Sequence, residues 1–391
     1  MARTQVRYYP VGDGSMTLIK LDDANKTTIL IDMCVSNAAD DKENRDVYDA
    51  AKDLRQHLVK KGDGHLHLNL LINSHGDDDH IHGLQNHFWL GDPLEYKNEE
   101  GEPEKIIIDE IWSSTRYRKY ATENFPLGDD AKALSKEIRR RVDALDDSDG
   151  NYVRIVGDEL LDDDEDVIPT QVRYARGSCV NTVAGKAIKD FSIKILGPLK
   201  KEKDEDDESF NDKNRGSIVI RVDRTVGDLW GKSCTMSLVF GDDTEVRTWE
   251  RLKELGEREE LAYDLLLAPH HCSWHSLSHD HAEDEDAAVS PRAKAALNNA
   301  RKGAYIILSC LSDEDEGDKK KKQGRMKART VYKGMVDDGH VLCTGESSSG
   351  GKPCPIVFEL TANGLSKVHN PLAVGISGAS VASIGEPQPH G

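Results

Sequence analysis

Apolar residues in this chain fall into short runs broken by polar turns, and their periods set out an order of elements. Met16–Leu21 and Thr28–Asp32 are β-prone and flank the polar stretch Asp22–Lys26, which predicts a hairpin. Between 45 and 60, Val47, Ala50, Ala51, Leu54 and Leu58 keep helical spacing. Leu66–Asn73 reads as a buried strand that delivers the chain into Ser74 and His75, and Ile81, Leu84 and Phe88 beyond suit a helix. A strand at Ile106–Trp112 and a surface helix over 129–145, with Arg139, Arg140 and Arg141, come next. From 147 to 170 the composition turns acidic and loop-like. Strands are predicted at Phe191–Leu196, Ser217–Val222, Thr235–Phe240, Tyr263–Leu267, Tyr305–Ser309, Val341–Leu342 and Ile356–Leu360. Helices are expected at about 244–255, 290–301 and from Lys319 through Val336. Strand-rich blocks interleaved with helices predict a layered α/β fold, sheets inside and helices outside. The small and polar residues 371–391 are expected to form a weakly ordered tail.

Composition narrows this picture. A length of 391 residues suffices for one large domain or two smaller ones, and 31% charged residues suit a well-solvated surface. No apolar run approaches the roughly 20 residues of a membrane helix. The N-terminus has no apolar signal core. Seven scattered cysteines without a Cys-x-x-Cys pair predict reduced thiols, and with them a cytoplasmic protein without a membrane partner. The net charge of −19 weighs against salt-driven binding to phosphate backbones. Much of that charge lies in runs at 158–166, 204–208 and 313–318, expected on solvated loops. The lysines 319–322 read first as a charged linker balancing the last of these runs.

The chemistry-bearing residues cluster at strand ends. His75-Gly-Asp77-Asp-Asp79-His80 puts four nitrogen and oxygen donors within six residues, directly after a buried strand. A tight loop there can send His75 and Asp77 to one side and Asp79 and His80 to the other, which suits two cations about 3.5–4 Å apart. Imidazole and carboxylate are ligands for zinc, manganese or iron. A solvated acidic turn with two incidental histidines is the plainer alternative. Phe240-Gly241-Asp242 ends another apolar strand in a carboxylate able to bridge two cations, with Asp243 as its neighbouring competitor. Pro269-His270-His271-Cys272 ends a third. One of these histidines could complete a metal's shell while the other donates to an oxyanion or a leaving group. Gly12-Asp-Gly14 lacks the third glycine of a dinucleotide loop, and no P-loop is present.

The order His-x-Asp-x-Asp-His, Gly-Asp, Pro-His-His resembles the metallo-β-lactamase superfamily, above all the ComEC-type competence hydrolase domain and its soluble relatives. Val11-Gly-Asp-Gly14, Leu30-Ile-Asp32, Asn214-x-x-Ser217-Ile-Val-Ile and Ile306-Ile-Leu-Ser309 extend the likeness over residues 6–345. The resemblance implies an αββα sandwich, two facing mixed sheets with outer helices, forming one domain over 1–370 with acidic insertions near 147–170 and 200–215. It implies two divalent ions, Zn or Mn, held by His75, Asp77, Asp79, His80, Asp242 and His271, with His270 the alternative to His271. Asp79, Asp242 and His270 then serve the reaction, water attack on a phosphodiester. The sequence departs from the pattern at His82 and Cys272, where glycine is usual, and no histidine lies between 88 and 240. The ion beside His75 and Asp77 is therefore expected to be the looser one. The partners implied are nucleic acid or a nucleotide-like substrate, and a second copy or an operon-encoded protein. Trp112, Arg116, Tyr117, Arg118, Lys119 and the segment 319–329 could supply stacking and phosphate contacts. Hydrolysis of a lactone, thioester or other acyl bond, or a non-enzymatic metal-stabilised interaction protein, are the competing readings.

Overall fold

The computed structural model describes residues 3–40, 47–98, 101, 103–114, 127–158, 168–202, 205, 213–256 and 258–369. The tail 371–391, residues 115–126, and parts of the two acidic insertions (159–167, 203–204 and 206–212) lie outside these.

Two mixed sheets carry the fold. The first contains β1 (Thr4–Tyr8), β2 (Thr17–Lys20), β3 (Thr28–Ile31), β4 (Leu66–Ile72), β5 (Ile106–Ser114) and β6 (Tyr152–Val156). The second contains β7 (Phe191–Gly197), β8 (Val219–Gly227), β9 (Ser233–Phe240), β10 (Tyr263–Leu267), β11 (Ala300–Leu308) and β12 (Val341–Cys343). The chain then returns to the first sheet as β13 (Ile356–Thr361), antiparallel to β1, and β14 (Gly364–Lys367). Each sheet has one antiparallel and one parallel part. In the first, β1–β2–β3 alternate direction and β3–β4–β5–β6 run parallel. In the second, β7–β8–β9 alternate and β9–β10–β11–β12 run parallel.

The period-2 pattern explains the layers. Ile29 and Ile31 of β3 share one core with Leu238 and Phe240 of β9 and with Leu265 and Leu267 of β10, so this core lies between the sheets. Leu30 faces the other way, toward Ala50 and Leu54 of α1 (Ala50–His57) and Leu134 and Ile138 of α2 (Asp129–Ala144). Val239, Leu266 and Ile306 likewise meet Trp249 of α3 (Val246–Leu255), Ala293 of α4 (Pro291–Leu297) and Tyr332 of α5 (Lys319–Lys333). Strands buried on both faces read as continuous apolar runs, which is why the parallel strands were the most visible ones in the sequence.

The predicted hairpin forms with Thr17 opposite Ile31. The helix expected over 45–60 is shorter. Asp49 caps it through the Lys52 N–H (2.8 Å), and beyond His57 the chain extends so that Val59–Lys60 can pair with β4. The acidic region 147–170 is not all loop, because its apolar run 152–156 is β6, with Val153, Ile155 and Val156 buried. Lysines 319–322 are no linker either. They form the first turn of α5, whose opening N–H groups at Lys320 and Lys321 donate to the Asp318 carboxylate. Among the described residues no helix is long and apolar enough to cross a membrane.

Candidate metal centre

Strand ends of the parallel parts of both sheets converge at one edge, the place where open α/β sheets leave a crevice. Here β3 ends in Asp32, β4 in Asn73-Ser74-His75, β9 in Gly241-Asp242-Asp243, β10 in Ala268 to His271 and β11 in Ser309. After His75 the chain makes one helical turn, Asp78–Ile81, and a second, Leu84–His87. The single helix suggested by Ile81, Leu84 and Phe88 is broken at Gly83, whose φ of 86° places it in the left-handed region. Asp130 of α2 accepts the Gly83 and Gln85 N–H groups (2.7 and 2.9 Å) and holds this break in place. The Ser15 N–H donates to the Asp79 carbonyl (3.0 Å) and the Met33 N–H to that of His80 (3.0 Å), so the donor-bearing turn is sewn to the first hairpin. That seam requires glycine at position 14, since a Cβ there would lie 2.8 Å from the Asp79 carbonyl oxygen.

Three of the predicted residues and one neighbour form the tightest set. Ligand atoms of Asp79, His80, Asp243 and His271 all lie within 4.8 Å of one another, and this group could hold a metal ion. His80 Nε2 is 3.2 Å from Asp243 Oδ1 and 3.1 Å from His271 Nε2, and His271 Nε2 is 3.2 Å from Asp79 Oδ2 and 3.3 Å from Asp243 Oδ1. Yet Asp243 Oδ1 is buried without a hydrogen-bond partner. Two imidazole nitrogens facing each other beside a buried, unsatisfied carboxylate oxygen suit a shared cation, since an orphaned buried acceptor otherwise costs about 1–3 kcal/mol.

Behind the histidines a second row fixes their tautomers. His80 Nδ1 lies 3.0 Å from Asp32 Oδ2 and 3.0 Å from Asp242 Oδ1. His75 Nδ1 lies 3.0 Å from Asp242 Oδ2, and His271 Nδ1 donates to the Ser309 carbonyl (3.0 Å). Such partners on Nδ1 leave Nε2 as the ligating atom. Asp242, predicted as the bridging carboxylate, thus sits on the Nδ1 side of His75 and His80, and Asp243 faces their Nε2 atoms. His75, His80 and Asp242 also form a converging group, fully buried, but the Nδ1 atoms of both histidines are already hydrogen-bonded to carboxylates.

The remaining candidates lie on the outer side of Asp243. His75 Nε2 is buried without a partner, 3.7 Å from Asp243 Oδ2 and 3.6 Å from Asp77 Oδ2. His270 Nε2 is 3.7 Å from Asp243 Oδ2. Neither converging group contains Asp77 or His270. His82 and His87 also stand outside both groups.

Burial and charge pull these groups apart in pKa. Burial alone would raise the Asp243 carboxyl, but His80, His271 and His270 hold it well below the usual range. Burial and the His80 charge would lower His75, yet Asp242 and Asp77 raise it to about 10. Asp32 moves up to about 7, through burial and the nearby Asp242 charge. His270 is lowered, chiefly by burial.

Strain marks the same edge. Asp32, Asp242, His270, His271 and Cys272 all have φ between 47° and 66°, and His270 to Cys272 do so consecutively. Non-glycine residues there cost of order 1–2 kcal/mol each, and such outliers gather at functional sites. Cys272, with φ of 66°, adopts a backbone that glycine favours.

Trp112 is not free to stack on a base. It is fully buried, donates from Nε1 to Glu110 (2.6 Å) and lies under the Arg154 guanidinium. Arg116, Tyr117, Arg118 and Lys119 lie outside the described residues. Three contributors went unassigned in the sequence. Asp32 stands alone at the end of its strand with no second donor beside it, Ser309 acts through its backbone, and Lys213, ion-paired with Asp77, is signalled only by its place before Asn214. No family model matches the chain, and no curated protein matches its sequence.

Proposed function

We propose that this chain is a metal-dependent hydrolase of the metallo-β-lactamase type, acting on a nucleotide-sized phosphodiester. The observation that carries the reading is the convergence of Asp79, His80, Asp243 and His271 from three strand-end segments of two facing sheets. A divalent cation bound there supplies Lewis acidity, which acidifies water and draws charge from a phosphoryl oxygen. The protein's own part is positional. Asp32, Asp242 and Ser309 hold the imidazoles with Nε2 toward the centre. His270, only partly covered, can donate a hydrogen bond from its ring N–H to the departing oxygen.

The substrate class is supported by a cavity of about 370 Å3 beside the cluster. Asp79, His270 and His271 line it together with Trp274, His275, Lys320, Lys321 and Arg325, and with the carboxylates Asp13 and Glu283. Basic groups and an aromatic ring beside a metal cluster suit a small phosphate ester with an attached ring, and the volume suits one nucleotide rather than a duplex. The test is hydrolysis of bis(4-nitrophenyl) phosphate with manganese or zinc. Wild-type protein turns it over only when loaded, and Asp243→Asn and His80→Ala each lower kcat/KM at least a hundredfold with metal-free folding intact. Metal-loaded protein inert toward this ester and toward nucleotide diesters would sink the proposal.

A further inference from the structure

The outer side of Asp243 is where the sequence lacks a mid-chain histidine, and the structure puts a cation there. Lys213 precedes a short turn, Asn214–Gly216, that leads into β8. This turn is held firmly: Arg215 pairs with the buried Glu205 (2.9 Å), and the Ile218 N–H donates to the Ser74 carbonyl (3.3 Å), one residue from His75. Lys213 is thereby set against the donor run, and its ammonium ion-pairs with the Asp77 carboxylate. Asp77 is the residue that a second metal ion would need beside His75.

The donors on this side meet only in pairs. His75 Nε2 lies 3.6 Å from Asp77 Oδ2 and 3.7 Å from Asp243 Oδ2, and His270 Nε2 3.7 Å from Asp243 Oδ2, but these pairs do not close into one set: Asp77 and His270 join no converging group among the described residues. With an ammonium already neutralising Asp77, a divalent cation there would meet like charge and find one carboxylate engaged. The inner set keeps its whole shell: Asp79, His80, Asp243 and His271.

We propose that the centre takes a single metal ion, in the inner set, and that the Lys213 ammonium stands in the second ion's place as a fixed positive charge. This rests on the reading of the cluster as a metal centre. The lysine cannot be chelated or exchanged, so one positive charge of the centre belongs permanently to the chain.

Full-length protein stripped with chelator and titrated with Mn2+ or Zn2+ tests this, with metal per chain read by plasma mass spectrometry and native mass spectrometry. Wild type and Lys213→Arg are expected to level off at one ion. Lys213→Ala and Lys213→His should take up a second, at least tenfold more tightly than wild type does. Lys213 is half-exposed, and circular dichroism checks that each variant is folded. Two ions bound with similar affinity by wild type, or lysine variants that stop at one, overturn the role of Lys213 and leave the inner site standing. No ion bound by folded wild type defeats the metal reading itself and this inference with it.

Discussion

At Asp242 the backbone turns left-handed, with φ of 47°, and that rotation decides what two adjacent and chemically identical side chains do. Asp242 is turned toward the Nδ1 atoms and Asp243 toward the Nε2 atoms, a division that depends on one dihedral angle and leaves no trace in the letters Gly-Asp-Asp. The His75–His80 run was legible because its donors are contiguous, whereas Lys213 and Ser309 become relevant only once β8 and β11 are in place. A second residue-scale consequence lies away from the centre. Asp53 of α1 accepts from Arg7 (3.1 Å) and from the Tyr9 hydroxyl (2.9 Å). Burial would raise its pKa, but His57, Arg7 and Tyr9 outweigh burial and hold it at about 2. A depressed carboxylate stabilises the fold above its unfolded value near 3.8 and loses that contribution as pH falls toward 2. Urea midpoints at pH 5 and pH 2.5 should therefore fall more for wild type than for Asp53→Asn. The difference should be of order 2 kcal/mol; equal falls would show that Asp53 carries no such linkage.

Among elements, the parallel strands were visible as apolar runs bounded by turns, and their ends marked the site. Less visible was β6, five residues in an acidic stretch, which the register of β5 recruits into the sheet. The break between the two helical turns after His75 was hidden too, since His82-Gly83 interrupts an apolar spacing that continues across it. The contact of the first hairpin with the donor turn gives an element-scale prediction. In Gly14→Ala the new Cβ would meet Cys34 Sγ and the Asp79 carbonyl oxygen at 2.6 and 2.8 Å. Part of this contact is backbone, so the turn bearing Asp79 must shift. Overpacking of this kind costs about 1–3 kcal/mol. The variant should show a lowered melting temperature together with weaker metal binding by calorimetric titration. Unchanged metal affinity would mean that the hairpin does not position Asp79.

Over the whole molecule, the layered α/β arrangement followed from periodicity, but the facing of the two sheets could not be read from local pattern, since a strand buried on both faces does not reveal which side meets helices. The centre spans this interface: Asp79 and His80 follow a strand of the first sheet, Asp243 and His271 strands of the second. A cation shared among them ties the sheets at one edge. Stabilisation by a bound ligand reaches about 2.7 kcal/mol at a hundredfold excess over Kd. Chelator should accordingly lower Tm by several degrees in scanning calorimetry for wild type and leave His80→Ala unmoved. Equal melting with and without chelator in wild type would show that no ion bridges the sheets.

The contacting pairs His75–Asp242 and His80–His271 join positions 167 and 191 residues apart. Loops of that length close slowly, and contacts across them form late in folding. A growing chain that has released His75 to His80 but not yet reached His271 holds only part of the inner set. Chelating power, and any chemistry that depends on it, therefore arrives only after most of the polypeptide has been made and both sheets have met.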